Sequence, residues 1–170
     1  IPNGLRFYPL RYDRVPAARS IIIESNASIE MLPESRLSIF GNFQNSGTVI
    51  NKGTLTLSGA TAQTYPGSTG TIAAMKILEI ANTGGGVLLD KSTYVSAELK
   101  PSSGTFALGD FDFTIRSVDT VTARVSKLGT TSVFTYGNGR FIVERFIRQG
   151  RKWRFLSVPT NTTQSINAAW

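Results

Sequence analysis

Asp110 and Asp112 flank Phe111, and two carboxylates spaced this way on one strand share a face. Such a pair could hold Ca²⁺ or divide acid and base roles in the cleavage of a polysaccharide, and Asp119 could join them. The plainer alternative is a turn aspartate followed by a solvated one. No further Asp, Lys or Arg cluster accompanies them to mark a lyase groove. The chain has no histidine and no cysteine, which excludes Ser-His-Asp and Cys-His catalysis, zinc held by imidazole or thiolate, and disulfides. The expectation is a non-enzymatic protein, with no catalytic residue, resident metal or cofactor.

A second set of residues could bind rather than react. Arg140, Arg145, Arg148, Arg151, Lys152 and Arg154 interleave with Phe141, Phe146, Trp153 and Phe155, a pattern that can track single-stranded nucleic acid. It equally describes an amphipathic hairpin with aromatics on the last layer of the fold and arginines outward. At the other end, Phe7, Tyr8, Arg11, Tyr12 and Arg14 mix aromatic and basic residues between Pro2, Pro9 and Pro16. The net charge of +7 belongs to these two ends, and the middle is close to neutral. Both ends are therefore read as interaction or assembly surfaces. Self-association or neighbouring domains are favoured, with anionic glycans as the further class of partner and nucleic acid disfavoured. Asn42, Asn45 and Asn51 sit at turns, where stacked asparagines can bond the backbone of adjacent layers as a ladder. Gly84-Gly85-Gly86 lacks the lysine and helix of a phosphate loop and reads as a turn.

The elements that must position these residues are short strands. Leu37–Phe40, Thr48–Ile50 and Thr54–Leu57 alternate apolar with polar residues, and Gly, Asn and Ser punctuate them. Period two marks strands with one buried face, and runs this short and close suit the coils of a solenoid. Thr, Ser, Gly and β-branched residues favour sheet, 41% apolar against 17% charged residues argues for a folded chain, and no apolar run is long enough to span a membrane.

The expected fold is all-β, a parallel β-helix or solenoid in three parts. Residues 1–19 form a cap or docking arm, because a first coil left bare would expose its core and edge. Residues 20–130 form the coils. Strands are expected at 120–127, 131–136, 140–148 and 151–158 with hairpin turns at Gly137-Asn138-Gly139 and Gln149-Gly150, and residues 131–170 form an antiparallel hairpin module. Residues 59–71 read as a longer loop leaving the wall. Ile72–Ile80 reads as a strand, although its spacing also admits a helix.

Taken together, SIIIESNASIEM, LSIFGNFQNSGTVINKGTLTLSG, AQTYPG, ILEIANTGGGVLLDKSTYVSAELKPSSGTFALGDFDFTI, GNGRFIVERFIRQGRKWRFLSVPT and TQSINAAW resemble the β-solenoid regions of large cell-surface and secreted proteins of the Bacteroidetes. The resemblance covers residues 20–170 and is most specific in the tail. It implies a right-handed parallel β-helix, export by the type IX route with a sorting signal in a separate C-terminal domain, an extracellular or cell-surface location, and a role as adhesin or structural stalk. It also implies that the chain, which begins at Ile1, is a fragment or processed product of a larger protein.

Overall fold

The structure, a computed structural model, describes residues 1–7, 16–67 and 69–146. All regular elements among them are strands, and they stack in parallel as a β-solenoid of about five turns. Each coil is a triangle whose three sides build three walls. Ile29 pairs with Val49 and Val49 with Ile72, so coils recur at twenty-odd residues.

The first wall begins with Arg6–Phe7, Ser28–Met31 and the first half of Thr48–Leu57. The first half of Thr71–Ala81 follows, then Thr93–Val95, Phe113–Arg116 and Phe141–Glu144. The second stacks Ala17–Ala18, Arg36–Ile39 and the second halves of Thr48–Leu57 and Thr71–Ala81. The first half of Glu98–Ala107 and Arg124–Val125 complete it. The third stacks Ile21–Ile23, Phe43–Asn45, Gln63–Tyr65 and Val87–Leu89, followed by the end of Glu98–Ala107 and Ser132–Thr135.

Parallel stacking in register puts like residues over like, because each wall sends every second side chain inward. Leu37, Leu55, Leu78, Leu99 and Val125 form one internal column, and the four leucines are buried. Each such side chain contributes roughly 1.5–3 kcal/mol by leaving water. Towards the C-terminal end the core turns aromatic. Phe106 meets Phe113 edge-on at 5.1 Å between ring centroids, and Phe113 stacks on Phe141 at 5.8 Å. Phe134 meets both Phe106 and Phe141 edge-on at 6.0 and 5.7 Å.

Several expectations are corrected. Parallel pairing does not stop near residue 130: Ser132–Thr135 pairs with Glu98–Ala107, and Phe141–Glu144 with Phe113–Arg116, both in parallel. For residues 131–146 there is therefore no antiparallel module, and Gly137-Asn138-Gly139 is a corner between walls rather than a hairpin turn. Strong local turn chemistry looks the same in both settings, and the partner one coil earlier decides. Residues 59–71 do not leave the wall, since Gln63–Tyr65 is a rung in it. The strand expected over 120–127 shrinks to Arg124–Val125. Pro101-Ser102-Ser103, residue types that suit a turn, is a bulge inside Glu98–Ala107, where the strand bends between walls. The strand reading of 72–80 is right. Residues 1–7 and 16–19 are continuous with the solenoid, adding their rungs in parallel to the first complete coil.

Candidate functional site

The polar residues that the fold buries most deeply sit at its corners. Asn45, Asn51 and Asn82 each stand two residues before a glycine, and each side-chain Oδ1 accepts a hydrogen bond from that glycine's N–H, at 3.0, 2.8 and 2.9 Å. This is the turn that a short amide side chain forms with its own backbone. The three serve three different corners of the triangle. The glycine is required because a Cβ at Gly47, Gly53 or Gly84 would collide with a carbonyl of the neighbouring coil, that of Ala27, Ser35 or Ala60.

The amide nitrogens then tie coil to coil. Asn51 donates to the Ile77 carbonyl at 3.0 Å, with the Met75 sulfur at the same distance. Asn82 donates to the Thr61 carbonyl at 2.8 Å and to Gln63 Oε1 at 3.0 Å. Gln63 in turn donates to the carbonyls of Ile39 and Gly41 and accepts from Gly59 N–H. Asn82 and Gln63 together span three coils while excluded from water. The stacked ladder expected of the asparagines is not formed: Asn45 and Asn51 lie at different corners, and of the two only Asn51 bonds the backbone of a neighbouring coil through its side chain among the described residues. Asn45 keeps to its own turn, and its buried Nδ2 has no hydrogen-bond partner among the described residues. Asn42 is exposed and joins the coil below through its backbone, which donates to Ser20 Oγ and accepts from Ile21 N–H. Sequence reasoning missed Asn82 and Gln63, although Asn-x-Gly recurs at 45, 51 and 82.

Asp110 and Asp112 do not share a strand face. They lie on the corner before Phe113–Arg116, and each is engaged by the next coil. Asp110 accepts from Asn138 Nδ2 at 2.7 Å. Asp112 accepts from Arg140 Nη2 at 2.7 Å, from Arg140 Nε at 3.3 Å and from the Arg140 backbone N–H at 2.9 Å. The guanidinium's hydrogen bonds hold the Asp112 carboxyl below the usual range, and the same pairing raises Arg140. The pair clamps one coil to the next. Among the described residues, no group of three or more Asp or Glu side chains is placed to hold a metal ion.

The second predicted assembly arginine within the described region, Arg145, is likewise spent inside the chain. It donates to Ser117 Oγ at 3.2 Å and to the Ala123 carbonyl at 2.6 Å. Arg116 lies 4.3 Å over the Tyr94 ring and pairs with Glu144. Phe7 adds its backbone to the first rung, pairing with Ile29. Tyr8, Arg11, Tyr12, Arg14, Arg148, Arg151, Lys152, Trp153 and Arg154 lie outside the described residues, as does the expected strand at 151–158.

Two other buried groups complete the picture. Burial pushes the Tyr65 phenol far above its ordinary range, against a smaller opposing effect of the neighbouring Thr93 hydroxyl, and neither hydroxyl makes a hydrogen bond of good geometry. Partial burial also raises the Asp90 carboxyl, although Gly67 N–H donates to it at 2.9 Å. Tyr65 packs its ring against Phe43 at 5.7 Å between centroids, and that contact explains its burial without any chemistry. No family model, curated protein or solved structure matches this chain.

Proposed function

We propose that the chain is a non-enzymatic structural or adhesive module of the extracellular surface, whose coils stack end to end with like coils to extend a filament or stalk. The observation that carries this reading is where the chain puts its polar chemistry. Asn51, Asn82, Gln63, Asp110, Asp112, Arg140 and Arg145 are all used to fasten one coil to the next. A protein built this way derives its function from an extended, regular surface rather than from a catalytic centre.

The end-to-end version is supported by the terminal rungs. Among the described residues, Phe141–Glu144 pairs only with the strand before it, and an unpaired parallel edge is a template for another strand. A contact between unlike ends does not close and so propagates. The resemblance to Bacteroidetes surface solenoids supports the extracellular location. A hydrolytic reading loses its candidates, because Asp110 and Asp112 are committed to Asn138 and Arg140. Negative-stain electron microscopy of the native chain tests the proposal. Filaments with a regular axial repeat are expected, and compact single particles at every concentration would refute end-to-end stacking.

A further inference from the structure

We propose that the corner between the second and third walls binds an acidic sugar, a hexuronate unit of an anionic glycan. At this corner three successive coils overlie one another. They present Arg19 and Ser20, then Phe40 and Asn42, then Ser58 and Thr61, around an open groove of about 610 Å³. That volume lies within the range of small-ligand clefts. The glycines make the overlay close: a Cβ on Gly41 would collide with the Arg19 carbonyl, and one on Gly59 would lie 2.5 Å from the Phe40 carbonyl.

Two features of the groove match one ligand class. Phe40 is 51% exposed, a large aromatic face left to solvent where the strand residues beside it are buried; such a face suits the C–H face of a pyranose ring. Arg19 is exposed and forms no salt bridge among the described residues, so its guanidinium fork is available to a carboxylate. An apolar platform and, beside it, a cation with no salt bridge among the described residues together describe a sugar carrying a carboxylate. The proposal goes beyond the structural reading and stands whether or not chains stack end to end.

The test is a titration of the whole ¹⁵N-labelled chain with digalacturonate, with its neutral dihexose counterpart, with inorganic phosphate and with a short single-stranded oligonucleotide. Saturable shifts at residues 19–20, 40–42 and 58–61 are expected with digalacturonate, with a dissociation constant on the order of 1 mM. The neutral sugar should bind at least about tenfold more weakly. Arg19→Gln, a change at an exposed side chain, should bring digalacturonate to the neutral sugar's level, and Phe40→Ser should weaken both sugars. An Arg124→Gln control on the second wall should change neither. The proposal is overturned by an absence of saturation, by unchanged binding in Arg19→Gln, by phosphate occupying the groove as tightly as digalacturonate, or by the oligonucleotide binding best. Light scattering on the same samples reads end-to-end assembly separately, so the two proposals fail independently.

Discussion

At the scale of single residues, the buried amides should matter more than any surface charge. Asn82→Ala removes the fully buried amide that accepts from Gly84 and Gly86 N–H and donates to the Thr61 carbonyl and Gln63 Oε1. An unsatisfied buried group costs about 1–3 kcal/mol. The substitution should therefore cost about 1–3 kcal/mol in urea unfolding, and a loss under about 1 kcal/mol would contradict the role assigned to this side chain. Two aspartates should give opposite acid profiles. The Asp112 carboxyl is depressed when folded, so its stabilising contribution is present above the unfolded value near 3.9 and is lost as pH falls through the folded value. The Asp90 carboxyl is raised when folded, so its contribution is present at low pH and is lost as pH rises through the folded value. At neutral pH, Asp112→Asn should lower the urea midpoint, whereas Asp90→Asn, which retains an acceptor for Gly67 N–H, should leave it unchanged or raise it. Midpoints measured between about pH 3 and pH 7 check this, and the same sign of change in both variants would contradict it. The sequence made Asn45 and Asn51 legible as corner residues because each sits in a turn between alternating runs. Asn82 was read as part of a plain glycine turn. Gln63 lay in a stretch whose Gly, Thr and Ser content outweighed a three-residue rung. What makes both important is a partner some twenty residues away, which no local window contains.

At the scale of elements, the corners and the aromatic layer carry the fold. Gly104 has φ +79°, and a Cβ there would also strike the Asn82 carbonyl, whereas Gly4, with φ +77°, has open space around it. Gly104→Ala should unfold the chain or cost several-fold more than Gly4→Ala, which bears only the left-handed backbone penalty of about 1 kcal/mol. Comparable losses in a thermal melt would contradict the collision. Phe113 is fully buried and touches both Phe106 and Phe141. Phe113→Ala should therefore cost about 3–5 kcal/mol, concentrated in the C-terminal coils and readable by hydrogen exchange. Strands were legible wherever period two held for three residues or more, as in Leu37–Leu57. The C-terminal misreading came from the same local evidence. Ser132–Thr135 and Phe141–Glu144 flank a Gly-Asn-Gly corner, and a hairpin and a solenoid corner share that sequence. What separates them is that Phe134 pairs with Phe106, and Phe141 with Phe113.

At the scale of the whole molecule, a solenoid is a one-dimensional stack whose coils touch only their neighbours. An end that finds another end gains a new neighbour on each side. The outer edge of Phe141–Glu144 is where that gain would be made. The carbonyls of Arg140 and Glu144 accept from Phe113 and Ser117, so in a parallel ladder the intervening Val143 presents its N–H outward. Val143→Pro removes that outward donor while leaving the inward ladder. The decisive measurement is light scattering with electron microscopy on the native chain and on Val143→Pro across a concentration series. End-to-end stacking predicts filaments of regular axial repeat that grow with concentration in the native chain and are lost or strongly shortened in Val143→Pro. A native chain that stays monomeric throughout, or a variant that polymerises as readily as the parent, would contradict it.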